Sequence, residues 1–364
     1  MKIRAAVSYE YNKPLVVEEI DLADPRENEV LVKVVGSGIC ATDITAVRDG
    51  FGGRDIPPVV YGHEGAGVVE KVGPGVTEFA PGDHVVVSYP YCNNCRFCRK
   101  GKPWFCDNGL SLIHGGTMAD GFSPLSKDGE TIHTFFGAST FADHLVANTR
   151  NCVKVDPEVS VELLGPLACG LMTGAGAVLN SLKPAPGSSI VVFGLGGIGM
   201  SALMAAKICG CTKIIAVDIV DSRLDTALEL GATHVINSKK IADVPAEIKK
   251  ITTYGADFAV ECSGNEFCVK SAYASLDTDG VVAMVGVSNH VSFDTFFFDI
   301  YSKRTESINM GLAHPKLFIP QLVEWYKRGM FPIEKIVKFY SLDDINKAME
   351  DSKSGDSIKP IIRF

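Results

Sequence analysis

Ser188-Ser-Ile-Val-Val-Phe-Gly-Leu-Gly-Gly-Ile-Gly-Met-Ser-Ala-Leu-Met-Ala-Ala206 carries no charge and is about as long as a membrane-spanning helix. Its centre, Gly194-Leu-Gly-Gly-Ile-Gly199, excludes that reading, because each glycine inside a helix costs ~1 kcal/mol relative to alanine. β-branched residues precede the glycines and helix formers follow them. The stretch therefore reads as strand, tight turn and helix. Gly194 permits the turn, Gly196 lets the backbone approach a pyrophosphate, and Gly199 allows close helix–strand packing, with the helix N-terminus facing the phosphates. This is the glycine pattern of a dinucleotide-binding βαβ unit.

The next strand, Lys213-Ile-Ile-Ala-Val-Asp218, ends on an acid about 20 residues beyond the glycines, where a carboxylate meets the adenosine ribose. Asp218 would accept hydrogen bonds from the ribose hydroxyls and repel a 2'-phosphate, so NAD is expected rather than NADP. Arg223, a little further on, has the charge to tolerate a phosphate. A helix cap or a solvated acid is the plain alternative for Asp218, and a simple turn for the glycines.

Working outward, residues 189–193, 213–218, 257–261 and 280–287 read as strands, and 197–209, 222–230 and 265–276 as helices. Strand and helix in alternation predict a doubly wound parallel sheet, an α/β architecture. Residues 1 to about 170 have a different texture. Short alternating strands at 29–35, 67–72 and 84–87, with frequent Gly and Pro, predict a mainly β or barrel-like lobe. Lys183-Pro-Ala-Pro-Gly187 supplies turn residues near the junction. A helix at 316–329 and strands at 336–340 and 358–364 are too little for a domain alone and are expected to return to the first lobe. The expected organisation is thus 1–170, 171–305 and a returning 306–364.

At 364 residues, two cores are expected rather than one. A hydrophobic share of 46% is that of an ordinary globular protein. The net charge of -8, with no basic run interleaved with aromatics, argues against nucleic acid or anionic membrane as partner. Met1-Lys-Ile-Arg-Ala-Ala-Val7 looks like a strand and lacks the apolar core of a secretory signal, so a cytoplasmic protein is expected.

Four of the 11 cysteines, Cys92, Cys95, Cys98 and Cys106, stand as C-x2-C-x2-C-x7-C within about residues 90–110. The spacing lets one loop wrap four thiolates around a tetrahedral zinc ion. Loop formers and cations fill the gaps, and the cations would partly offset the negative charge of such a site. Two disulfides or an iron–sulfur cluster are the alternatives; a reducing compartment disfavours the first and the long last gap the second. A site closed by four protein ligands would hold a lobe in shape and do no chemistry.

Cys40, His63, Glu64 and Cys169 each sit beside glycines. Singly, each has an ordinary packing explanation, and spacing cannot join positions so far apart. Two thiolates and an imidazole are nevertheless a ligand set that leaves zinc an open fourth position.

Taken together, Gly38-Ile-Cys-Ala-Thr-Asp43, Gly62-His-Glu-Gly-Ala-Gly67, the four-cysteine lobe, Phe136-Gly-Ala-Ser-Thr-Phe141, Cys169-Gly-Leu-Met-Thr-Gly174 and Gly194-Leu-Gly-Gly-Ile-Gly199 resemble the zinc-dependent medium-chain alcohol dehydrogenases. The resemblance spans essentially the whole chain. Thr173-Gly-Ala-Gly-Ala-Val-Leu-Asn-Ser-Leu-Lys183 is most similar to the aryl or benzyl alcohol branch. The resemblance implies a GroES-like catalytic domain and a Rossmann domain binding NAD. It implies that Cys40, His63 and Cys169 bind a catalytic zinc with Glu64 as a nearby or alternate ligand, so two zinc ions per chain. Thr42 matches the hydroxyl that bonds the substrate oxygen and passes its proton outward, and Asp43 is placed to orient a ligand. Gly197, Val285 and Val287 join the other glycines and Asp218 on the dinucleotide.

Two departures stand out. Ala41 occupies a position where many members carry a cation for the pyrophosphate, and Thr45 one where many carry the histidine that completes the proton relay. Lys359 matches a C-terminal cation that would supply the missing phosphate contact; otherwise it is a surface lysine. By family position, Phe51, Ser88, Phe135, Phe136, Val287 and Met310 would line the pocket, although each alone is equally an ordinary core residue. An aromatic wall suits a flat apolar alcohol, so the expected activity is reversible oxidation of benzyl or cinnamyl alcohols. An aliphatic or S-hydroxymethylglutathione dehydrogenase is the near alternative and a non-catalytic NAD- and zinc-binding protein the distant one. A small-molecule substrate and a homodimer or homotetramer built by sheet pairing along 280–310 complete the expectation.

Overall fold

The computed structural model describes residues 1–287, 290–292 and 301–364. The chain divides into two compact units. The first comprises Met1–Cys169, His314–Lys327 and Val337–Phe364, the second Gly170–Ala313 and Arg328–Ile336.

A sheet in the first unit runs in the order Cys152–Lys154, His84–Val87, Glu64–Val72, Glu29–Gly38, Lys359–Arg363, Val337–Ser341, with His144–Asn148 also paired to Glu29–Gly38. A second sheet contains Val59–Val60, Lys2–Ser8, Val16–Leu22, Leu125–Lys127 and Glu130–Ile132. Alternating valines make the core. Val30, Val32, Val34, Val69, Val85 and Val87 pack with Leu145 and Phe79 in one buried cluster. Gly67 is required by close strand approach, since a Cβ there would lie 2.0 Å from the Lys33 carbonyl oxygen.

The second unit carries six parallel strands in the order His234–Asn237, Lys213–Asp218, Ser189–Phe193, Ala256–Glu261, Leu276–Met284, Arg304–Ser307. Strand order reverses between Ser189–Phe193 and Ala256–Glu261, which opens a crevice at their carboxyl ends. The uncharged stretch of the sequence is the innermost strand and the helix Gly197–Ile208, in which Met200 to Ala206 are all fully buried. Burial explains its composition. No helix of the described residues is long and apolar enough to cross a membrane.

The structure departs from the sequence reading in several places. Residues 306–313 and 328–336 belong to the second unit, so the return to the first is interrupted. The strand expected at 280–287 runs Leu276–Met284. Val285 and Val287 therefore follow it in a loop. His234–Asn237 and the helix Val244–Thr252, capped by Asp243 accepting from the Ala246 amide at 2.9 Å, were not anticipated. Neither was the helix Ala41–Gly53.

Candidate metal centres and dinucleotide site

Cys40 lies two residues beyond the strand Glu29–Gly38 and caps the helix Ala41–Gly53, where its amide donates to Asp43 Oδ2 at 2.9 Å. His63 immediately precedes the strand Glu64–Val72, which Glu64 opens, and Cys169 follows the turn Gly165–Ala168. Ligand atoms of Cys40, His63, Glu64 and Cys169 all lie within 4.8 Å of one another. The fold thus joins positions that spacing could not.

His63 Nδ1 lies 2.7 Å from Asp43 Oδ1, both side chains being buried. A carboxylate only accepts, so Nδ1 carries the proton and Nε2 presents its lone pair. Nε2 is buried with no hydrogen-bond partner of ordinary geometry. It is the orphaned donor atom that a metal ion would satisfy.

The thiols carry the same message. Cys40 is held well below the usual thiol range by its hydrogen bond with Cys169, against the effect of burial. Cys169 is pushed well above that range by the same bond and by burial. Burial disfavours the imidazolium of His63, but the Asp43 carboxylate and then Cys40 override it and raise the pKa well above the ordinary value, so that with no ion bound a second proton on Nε2 is favoured, and a metal ion would take that proton's place. Burial lifts Glu64 to about 7, opposed by Lys359. Lys359 Nζ stands 2.5 Å from Glu64 Oε2 and donates to the Ile39 carbonyl at 3.0 Å, only 4% of the residue being exposed. It is therefore an internal partner of Glu64 and not a surface lysine, and the amine expected to reach a phosphate is committed to this pair. Two thiols, an imidazole and a carboxylate fit a zinc ion.

In the second cluster the Sγ atoms of Cys92, Cys95, Cys98 and Cys106 also lie within 4.8 Å of one another, and all four cysteines are free. Cys92 and Cys98 Sγ are 4.0 Å apart, twice a disulfide length of ~2 Å. Amides of Cys92 and Asp107 donate to Cys106 Sγ at 3.3 Å and Cys95 Sγ at 3.4 Å. Backbone donors, those of Cys98 and Asp107 foremost, hold Cys95 down to about 6, while burial pushes Cys98 up to about 12. Arg150 Nη1 fastens the lobe through the Cys92 carbonyl at 2.9 Å.

In the second unit Gly194 has φ +86° and donates to the Val217 carbonyl at 2.9 Å. A Cβ on Gly199 would lie 1.9 Å from the Gly194 carbonyl oxygen, whereas one on Gly196 would meet nothing within 4 Å. The first relation is close packing, and the second is the open side from which a pyrophosphate is approached. Gly197 begins the helix. Asp218 accepts from Leu195 N at 2.6 Å, Ile219 N at 2.7 Å and Val220 N at 3.0 Å, and Arg223 Nη1 lies 3.9 Å from its Oδ2. Asp218 thus braces the glycine loop, a task the sequence reading did not give it.

Glu261, at the end of its strand, was missed altogether. Fully buried, it accepts from Ser263 N at 2.8 Å and Gly264 N at 3.1 Å, while its carbonyl takes the amides of Val285 and Gly286 at 2.9 Å each. An acid closing an apolar strand before Cys-Ser-Gly was the available signal. It shapes the loop that carries Val285 and Val287, the latter 93% exposed.

Residues 26–157 match the family described as "Alcohol dehydrogenase GroES-like domain" and 197–327 that described as "Zinc-binding dehydrogenase". A geraniol dehydrogenase of Castellaniella defragrans is 38% identical over 99% of this chain and 97% of its own length. The chain belongs to the zinc-dependent alcohol dehydrogenases. Among solved structures, an alcohol dehydrogenase zinc-binding domain protein from Burkholderia ambifaria superposes with a TM-score of 0.97 at 44% identity. The benzyl alcohol dehydrogenase of Acinetobacter calcoaceticus does so at 0.95 and 42%, and each match covers 100% of this chain and 99% of the other. The chain is an oxidoreductase whose cofactors are zinc and NAD.

In this alcohol dehydrogenase the expected pocket residues divide. Phe136 stacks on the His63 ring at 4.4 Å and 24°, and Phe135 meets His63 edge-on at 5.8 Å. Phe135, Phe136 and Ser88 are at most 3% exposed, and Ser88 donates to the Ala168 carbonyl at 2.6 Å. They form a packed layer behind the metal residues and do not present an open surface. Phe51 and Met310 are half-buried. Phe51 and Phe136 both hold φ +54°, a left-handed conformation that costs an aromatic residue of order 1–3 kcal/mol and that clusters at functional sites. Thr42 is half-buried in the first turn of its helix, with Ala41 exposed and Thr45 half-buried.

Proposed function

We propose that this enzyme reversibly oxidises aromatic primary alcohols of the benzyl or cinnamyl type to aldehydes with NAD. The observation that carries the reading is the likeness, over the whole chain, to the benzyl alcohol dehydrogenase of Acinetobacter calcoaceticus at 42% identity and a TM-score of 0.95, to which the rings of Phe135 and Phe136 packed behind His63 add an aromatic setting. In this reading Cys40, His63 and Cys169 hold the catalytic zinc, Glu64 is the alternate ligand, and Cys92, Cys95, Cys98 and Cys106 hold the structural one. Zinc supplies Lewis acidity, which lowers the pKa of an alcohol toward neutrality. Asp43 fixes the His63 tautomer. Thr42 bonds the substrate oxygen and hands its proton outward. Gly194, Gly196, Gly197, Gly199, Asp218, Val285 and Val287 bind the dinucleotide.

The exposed strand Arg304–Ser307 at the sheet edge favours a homodimer or homotetramer in a cytoplasmic enzyme. The Phe296–Phe298 part of the expected pairing surface lies outside the described residues. The test is NADH formation by zinc-assayed protein with benzyl alcohol and ethanol at matched concentration. Strong preference for benzyl alcohol supports the reading. Preference for ethanol, or for formaldehyde only with added thiol, replaces it.

A further inference from the structure

A cleft in the first unit is walled by three elements: the loop at Asn12 to Pro14, the helix Ala41–Gly53 and the helix Ile345–Ser354. Its volume is about 280 Å³, just below the ~300–1,000 Å³ of most small-molecule sites, which suits a compact ligand. None of the metal, dinucleotide or expected pocket residues lines it.

The walls are fixed to one another. The Asn12 amide donates to the Val47 carbonyl at 2.8 Å, which ties the loop to the first helix. Asn346 ties it to the second, its Oδ1 accepting from the Leu15 amide at 2.8 Å and its Nδ2 donating to the Leu15 carbonyl at 2.9 Å. Asn12 holds φ +55°, a left-handed conformation that asparagine tolerates. A loop fastened to both helices leaves a concavity that is already formed, so a ligand entering it has little ordering to impose.

The lining has two characters. Ile44 and Val47, half-buried, and Met349, buried, make it apolar on one side. Lys13, Arg48 and Lys353 are exposed cations, set against Glu350 as the one acid of the lining. On a chain of net charge -8, that local excess of positive charge runs against the whole. Lys13 makes no ion pair through its side chain among the described residues. Arg48 directs Nε and Nη2 to Asp49 Oδ2 at 2.9 and 2.7 Å, which leaves Nη1 uncommitted among the described residues. Lys353 bonds Glu350 Oε1 at 3.0 Å. The Asp49 and Glu350 side chains are 42% and 71% exposed, and pairs of that kind contribute little, so an incoming anion displaces them at small cost. Three cations alone would be an ordinary solvated surface. Around apolar side chains in a fixed concavity they match a ligand with one anionic end and an apolar body.

We propose that this cleft binds a compact monocarboxylate, its carboxylate on Lys13, Arg48 and Lys353 and its apolar body on Ile44, Val47 and Met349. The inference does not depend on which alcohol the enzyme turns over.

The experiment titrates the zinc-loaded enzyme calorimetrically with benzoate, with benzamide, which lacks the charge, and with inorganic phosphate, which lacks the apolar body. Benzoate should bind about tenfold or more tighter than either, the scale of one charged hydrogen bond or of one buried apolar group. Lys13→Glu and Lys353→Glu should each weaken benzoate about tenfold, with zinc content, kcat and KM for the alcohol as in the unaltered enzyme. Circular dichroism confirms the fold of each variant, and if one does not fold the other decides. Failure to bind benzoate, equal affinity for benzamide or phosphate, or a benzoate affinity that a folded variant leaves unchanged overturns the site. The last result would place the carboxylate elsewhere, the cluster of Cys40, His63 and Cys169 being the first place to look.

Discussion

Lys359 Nζ lies 2.5 Å from Glu64 Oε2, and the two side chains are 5% and 0% exposed. Burial alone would neutralise either group, yet each favours the other's charge, so Lys359 is raised above its ordinary value against desolvation. Removing one partner leaves the other buried without its counter-charge, so that it must either stay charged at a cost or be neutralised. Lys359→Met is therefore expected to destabilise the enzyme by about 3–5 kcal/mol, read by denaturant unfolding. Glu64→Gln combined with Lys359→Met should recover part of the loss. Equal losses in the single and double variants would show that the pair is not coupled.

The two cysteine clusters predict separate zinc losses. Unaltered protein should contain two zinc ions per chain by metal analysis. Cys98→Ser should retain one zinc and activity in whatever fraction stays folded, whereas Cys169→Ser should retain one zinc and lose turnover. Asp43→Asn keeps every ligand but no longer fixes the His63 tautomer, and should weaken zinc binding or activity about 10–100-fold. Full zinc and full activity in Cys169→Ser would remove the basis for a reactive metal at that cluster.

At the dinucleotide site Asp218 takes three backbone amides, and Arg223 stands 3.9 Å away. Neutralising the carboxylate removes repulsion of a 2'-phosphate and leaves Arg223 to attract it. Asp218→Asn should lower the NAD over NADP preference in kcat/KM by about tenfold or more, the scale on which a lost polar contact shifts selectivity. It should also lower thermal stability, because Leu195, Ile219 and Val220 lose a charged acceptor. An unchanged cofactor preference would reduce Asp218 to its bracing role.

Asp351 sets an acid limit. Hydrogen bonds from Tyr340 at 2.6 Å, then from Lys347 at 3.0 Å and Lys338 at 3.1 Å, hold its carboxyl below the ordinary value. A carboxyl with a depressed folded pKa contributes stability above its unfolded value of 3.8, and that contribution is lost as pH falls further. The melting temperature should drop below about pH 4, and Asp351→Asn should flatten that part of the profile while lowering the plateau. A profile that Asp351→Asn leaves unchanged would assign the acid limit to other groups.

What was legible in the sequence is what local chemistry dictates. Gly194, Gly196 and Gly199 each have a short-range reason to be glycine, and Cys92 to Cys106 lie close enough along the chain to share one ion. Cys40, His63 and Cys169 could be joined only through family resemblance, since nothing in their spacing brings them within a metal's reach. Lys359 was read as a cation for the phosphate, with a surface lysine as the alternative, because no local pattern reveals that strand Lys359–Arg363 docks on Glu29–Gly38 and sets the amine on Glu64. The left-handed backbone at Phe51 and Phe136 had no signal either, because phenylalanine is among the residues least expected there.

Thr253 offers a test of that last kind of hidden feature away from the site. It ends the helix Val244–Thr252 with φ +83°, a conformation for which a β-branched residue is poorly suited and glycine well suited. Its amide bonds the Lys249 carbonyl at 2.7 Å, and a replacement that keeps the N–H keeps that bond. The strain released exceeds the extra backbone entropy that glycine brings to the unfolded chain. Thr253→Gly is therefore expected to raise stability by about 1 kcal/mol, measured by urea unfolding, with kcat and KM unaltered. Destabilisation would mean that the Thr253 side chain makes contacts worth more than its strain.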